Sequence, residues 1–190
     1  DLLDILQNVL DEIYVRVNNA SHPEYPRTFS DNYHQLVKLK VNLFACKFGA
    51  STCIIDARSQ MFLYDLAIRQ PNADERQFLY CGALSGDLAT AQWTMLKARL
   101  LEITQGIEIY RDNQDEITDI LYAFSNCDDN MERVQSLLMD IFNKSQPSPY
   151  QLITKADATF VIGNLIKVGS SHREVVMEFY SDHYELVNGR

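Results

Sequence analysis

The stretch FACKFGASTC, residues 44–53, places Cys46 and Cys53 seven positions apart inside a run that otherwise has helical spacing. A continuous α-helix rises about 1.5 Å per residue, which would hold two such positions about 10 Å apart. A disulfide needs its two Cα atoms within about 7 Å of each other. The requirements conflict unless the helix breaks between the cysteines. Gly49 supplies the break, since a residue without Cβ accepts the left-handed conformation that ends a helix, and Ser51 is placed to cap the next one. The segment predicts helix, corner, helix, with the cysteines facing each other across the corner.

Cys81 and Cys127 make up the rest of the cysteine complement. They fall near the ends of helical runs, where a bridge would tie neighbouring helix pairs together. Structural zinc favours knuckles with two to four intervening residues and a second knuckle or histidine pair, which this chain lacks. The C-x-x-C spacing of redox motifs is also missing. Four buried thiols remain the alternative that spacing alone leaves open.

Outward from the corner, nearly every segment repeats with helical period. Leu2, Leu3, Leu6, Val9, Leu10, Ile13 and Val17 recur at steps of three and four residues and form one stripe. Residues 18–30, with Pro23 and Pro26, read as a loop. Further helices are expected over 31–47, 52–69, 73–84, 88–105, 114–126, 130–144, 154–168 and 172–187, and the short run at 106–110 is ambiguous. A weak internal repeat accompanies them. Leu-aromatic pairs at Leu43-Phe44, Leu79-Tyr80 and Leu121-Tyr122 each precede a candidate cap by eight residues, at Ser51, Asp87 and Asp129, and Ser171 continues the series. The caps are 36, 42 and 42 residues apart, the period of helix-pair repeats. The expectation is a single all-α domain over 1–190: antiparallel helix pairs stacked in a HEAT/armadillo-like α-superhelix and held by two disulfides. The opening on Asp1, in mid-pattern and without methionine, is expected of a C-terminal piece of a larger multidomain ectodomain.

A net charge of −9 and the lack of any Lys/Arg cluster argue against nucleic-acid binding. No apolar run reaches the roughly 18 residues of a membrane-spanning helix, so no direct membrane insertion by this chain is expected. Two sequons, Asn19-Ala20-Ser21 and Asn143-Lys144-Ser145, fall at expected surface breaks and mark Asn19 and Asn143 as candidate glycosylation sites.

Three stretches, LFACKFGASTCIIDARSQMFLYDL (43–66), ERQFLYCGALSGD (75–87) and ITDILYAFSNCDDNMERVQSLLMDIF (117–142), together resemble the C-terminal helical domain of zinc aminopeptidases. The resemblance is to the aminopeptidase N and endoplasmic-reticulum aminopeptidase type. It implies a short-loop disulfide at Cys46 and Cys53 and a second bridge between Cys81 and Cys127. It implies a non-catalytic domain that caps the active-site cavity and contacts peptide substrates, with the parent's own catalytic domain as its partner. The compartment implied is extracellular or the secretory lumen, on the ectodomain of a membrane-anchored parent. The rival reading is a protein-interaction module of a catalytically inactive relative, bound to a cell-surface or matrix protein. Residues 1–39 match only as generic helices, and the segment between Cys81 and Cys127 is longer than is usual for the family.

The chemistry does not come along. Zinc would be held by H-E-x-x-H and a later Glu, with the carboxylate between two histidines one turn apart. His22, His34, His172 and His183 have no such spacing, and the family's G-x-M-E-N motif is missing too. No catalytic, metal or cofactor residue is assigned to this chain, and zinc is expected upstream if the parent is active. The acidic run RDNQDEITD, 111–119, lacks the glycine and terminal Glu of an EF-hand and fits the start of a helix. Tyr180, His183 and Tyr184 fit a helix surface, and Trp93 with Leu96 and Leu100 fits a core.

Overall fold

The computed structural model describes residues 2–19, 31–66, 70–86, 89–105, 113–142 and 155–188, and among them the fold is all-α. The expected 18–30 loop beyond Asn19, the 106–110 run, Asp87, Asn143 and the ends of several expected helices lie outside these residues. Two compact units form, Asp1–Ser85 and Gly86–Arg190.

The first unit contains α1 (Leu2–Asn18), α2 (Asp31–Lys47), α3 (Ser51–Asp65), a 3-10 turn (Ala73–Glu75) and α4 (Arg76–Leu84). Helices α1 and α2 each pack on the next helix and on the one after it, as stacked helix pairs do. Helix α4 is enclosed, with every residue from Phe78 to Leu84 buried. Its close approach to α2 and α3 depends on small side chains, since Ala45, Ala57 and Ala83 are all fully buried. The α2–α3 corner closes as the sequence predicts. Gly49 has φ 83°, its N–H donates to the Cys46 carbonyl at 3.2 Å, and the Ala50 N–H donates to the Ala45 carbonyl at 2.9 Å. This pair of bonds is a Schellman closure, which satisfies carbonyls that the helix end would leave open.

The second unit contains α5 (Thr90–Gln105), α6 (Gln114–Asn126), α7 (Met131–Phe142), α8 (Lys155–Val168), α9 (Ser170–Asp182) and the short α10 (Tyr184–Asn188). Helix α6 packs on α8, and α9 packs on both α7 and α8. Leu96, Leu100, Ile103, Ile117, Ile120, Leu121, Phe124 and Leu165 form the core. Trp93 sits half-buried at its edge, 5.6 Å from Phe124, with the Lys97 ammonium 4.9 Å from its ring centroid.

The expected caps are corrected in three places. Ser51 does not cap α3 with its own side chain; the N-cap residue is Ala50 and the cap comes from Asp11. Helix α7 is capped by Asn130 rather than Asp129, the Asn130 Oδ1 accepting the Arg133 N–H at 3.0 Å. Helix α9 begins at Ser170 after Gly169, with no side-chain cap, so Ser171 does not serve.

Candidate functional site

The Cys46–Cys53 disulfide is the centre of the first unit. Its Cα atoms are 5.1 Å apart, and both residues are fully buried. Cys81 and Cys127 are likewise disulfide-bonded, and no free cysteine remains. The four-thiol alternative is therefore set aside. Oxidised cysteines in this number belong to an extracellular or secretory environment.

Around this corner α1 is docked by polar groups. The Gln7 amide donates to the Phe48 carbonyl at 3.1 Å. The Asp11 carboxylate accepts the Ser51 hydroxyl at 2.7 Å and the Ser51 and Thr52 N–H groups at 3.1 and 2.8 Å. Burial pushes the Asp11 carboxyl up, and these donors outweigh it, so its pKa lies below the ordinary carboxylate value. The Tyr14 hydroxyl donates to Asp56 at 3.0 Å, and burial together with that carboxylate raises the phenol's pKa. Asn18 donates to the buried Asn42 at 2.8 Å and to the Tyr14 carbonyl at 2.9 Å.

The consequence for α1 was hidden in its sequence. The apolar stripe is covered only in part: Leu2, Leu3, Leu6, Val9 and Ile13 are exposed, Leu10 and Val17 are half-buried, and Tyr14 is the buried residue of the helix. Periodicity locates a stripe but does not say which neighbour covers it. The buried Asn42 and the carboxylate of Asp11, rather than leucines, decide which side of α1 docks.

A cleft of about 620 Å³ in the first unit is lined by Val17, Val37 and Leu39 together with Lys38, Asp74 and Glu75, among others. Its walls mix apolar surface with both signs of charge, and none of these side chains is a nucleophile paired with a base.

The second unit carries a buried ionic corner at the start of α7. The Arg133 guanidinium donates to Asp128 through Nε at 2.9 and 3.0 Å and through Nη2 at 2.7 Å. Hydrogen bonds from Arg133 to Asp128 raise its pKa, against the opposing effect of burial. His172, buried on α9, lies with Nε2 2.8 Å from the Asp128 carbonyl. A carbonyl only accepts, so Nε2 carries the proton. Sequence reasoning missed this corner, although the Asp-Asp-Asn run before a helix with an Arg one turn in was a visible signal. Glu116 is tied to Arg99 at 2.9 and 3.1 Å, and Asp115 stands exposed in the first turn of α6. His183 stacks on the buried Phe179 at 4.6 Å, and Tyr180 of α9 meets Tyr184 of α10 edge-on at 5.6 Å, where α9 gives way to α10.

Among the described residues, no group of three or more His, Cys, Asp and Glu is arranged to hold a metal ion. Among them too, no helix is long and apolar enough to cross a membrane. No family model, curated protein or solved structure matches the chain.

Proposed function

We propose that the chain is the non-catalytic C-terminal helical domain of an aminopeptidase N-type zinc aminopeptidase. It would belong to the ectodomain of a membrane-anchored parent, close over the active-site cavity and contact the far end of peptide substrates. The observation that carries this reading is the disulfide across the α2–α3 corner, Cys46–Cys53, with Cys81 and Cys127 also oxidised. The resemblance implies these same two bridges. Packing of α1 on α3, α2 on α4, α6 on α8 and α7 on α9 is what a lid built from helix pairs requires. Zinc and the catalytic glutamate belong to the parent's catalytic domain, not to this chain.

The test uses the longer parent ectodomain. Zinc content is measured together with hydrolysis of a panel of aminoacyl fluorogenic substrates. Stoichiometric zinc and turnover support the reading, and substitutions on the chain's exposed faces then change peptide-length preference. Absence of both zinc and turnover overturns the catalytic role. The rival, an interaction module for a cell-surface or matrix protein, would then stand.

A further inference from the structure

The Cys46–Cys53 bridge lies under a cover. Both cysteines are fully buried. The backbone of α4 rests on the Cys46 sulfur, for a Cβ built on Gly82 would stand 2.7 Å from it and 2.6 Å from the Ala57 Cβ. The Asn42 carbonyl oxygen lies 3.3 Å from the Cys53 sulfur, a contact rather than a hydrogen bond, since a disulfide sulfur has no proton to give. Ser85 holds the end of α4 down. Its hydroxyl is 3.1 Å from the Cys81 carbonyl and 3.3 Å from the Cys46 carbonyl, and its own carbonyl accepts from the Arg58 guanidinium of α3. One short segment thus reaches the bridge sulfur, the carbonyl of the same cysteine and a side chain of α3.

Exchange with an outside thiol needs room at a sulfur. The attacking thiolate bonds to one cysteine sulfur, and the electron pair of the breaking S–S bond leaves with the other. With a dithiol, the second thiol then closes on the first and frees the remaining cysteine. The bridge gains two electrons, each cysteine ends as a thiol, and the reagent becomes a cyclic disulfide. Neither sulfur is open to such an approach while α4 is docked. Helices α2 and α3 cannot leave without taking a bridge cysteine with them. Helix α1 is tied to Phe48, Ser51, Thr52 and Asp56 rather than to either cysteine. Helix α4 can leave and uncover the bridge, and local opening of a short element takes less free energy than global unfolding. We infer that α4, with Ser85, gates the Cys46–Cys53 disulfide: the bridge exchanges with outside thiols only from a state in which α4 has lifted and α1 to α3 stay folded. A chain with α4 undocked remains open to thiol reshuffling at this corner, and docking fixes the bridge. Cys81 of α4 is itself oxidised, which tethers the gate, so its release comes first. The gate is independent of the peptidase reading.

The experiment treats the oxidised full chain with dithiothreitol, stops samples by alkylation, and follows alkylated Cys46 and Cys53 in the tryptic peptides 41–47 and 48–58 and Cys81 in 77–97. The same series is run in urea that unfolds the chain. Reduction of the Cys46–Cys53 bridge in the folded chain is expected to be at least about tenfold slower than in urea. Alkylated Cys81 is expected before alkylated Cys46 and Cys53. Ser85→Ala removes the clamp and should speed reduction of the bridge about two- to tenfold, the range for one hydrogen bond. Tyr14→Phe removes a hydrogen bond between α1 and α3 and should gain less. A slowing of less than tenfold, the reverse order of cysteines, or no gain in Ser85→Ala overturns the gate. A gain in Tyr14→Phe as large as in Ser85→Ala assigns reduction to general unfolding and overturns it as well.

Discussion

Gly82 of α4 packs directly against Cys46 of α2. A Cβ at position 82 would lie 2.7 Å from the Cys46 sulfur and 2.6 Å from the Cβ of Ala57. Neither atom is the far end of a flexible side chain, since one belongs to the disulfide and the other to a fully buried alanine. Gly82→Ala therefore gains about 1 kcal/mol of helix propensity and loses more to overpacking, typically 1–3 kcal/mol. The expected outcome is a net loss of up to about 2 kcal/mol, lowering Tm by up to several degrees in calorimetry. Gly163, whose added Cβ meets nothing within 4 Å, is the control, and Gly163→Ala should stabilise slightly.

The disulfide itself closes a short loop. In the chain-entropy description, a bridge across a separation of seven residues stabilises by about 2–3 kcal/mol. Replacing both partners, as in the Cys46→Ala, Cys53→Ala double variant, should cost about that much without leaving a lone thiol. Chemical denaturation with and without reductant checks it. The double variant should respond less to reductant than the parent chain, and an equal response would show that this bridge contributes nothing.

How far the sequence could be read depends on where each determinant lies. Helix α2, its end at Gly49 and, to within one residue, the start of α3 were legible because their determinants are local: helical period, a glycine, a short corner. The cap on α3 was not, because Asp11 stands 40 residues before Ser51 and only folding brings them together. Asn130 displaced Asp129 as the cap of α7 because Asp128 accepts the Asn130 N–H at 3.1 Å and sets the turn before the helix. The exposure of most of the α1 stripe was unreadable for a related reason. Docking there follows polar partners, Asn42 with Asn18 and Asp56 with Tyr14, whose pairing no one-dimensional pattern displays.

Asp11 makes α1 docking pH-dependent in a defined direction. Burial raises its pKa, but the Ser51 hydroxyl and the Ser51 and Thr52 N–H groups lower it further, to below the ordinary 3.8. A carboxyl whose folded pKa is depressed stabilises fully above its unfolded value, and that stability is lost as pH falls through the folded one. Asp11→Ala should cost about 0.5–2 kcal/mol at neutral pH, the range for losing a helix N-cap. Urea midpoints of the two proteins, compared from neutrality downward, should differ at pH 7 and converge only below the ordinary carboxylate range. A gap independent of pH would assign the loss to packing instead.

The Asp128–Arg133 pair offers the sharpest separation between a buried ionic interaction and its parts. Asp128 has 1% of its side chain exposed and Arg133 12%, so the carboxylate in particular has no water to fall back on. Breaking such a pair from one side typically costs about 3–5 kcal/mol, because the remaining charge is stranded. Arg133→Met should therefore be severe, and Asp128→Asn nearly so, since Asp128 also accepts the Asn130 N–H. The double variant should be destabilised by clearly less than the sum of the two, with a coupling of about 1–3 kcal/mol in a denaturation cycle. Two losses that add to within about 0.5 kcal/mol would mean that the residues act independently. The corner would then be held by the His172 bond to the Asp128 carbonyl and the Asn130 cap rather than by charge.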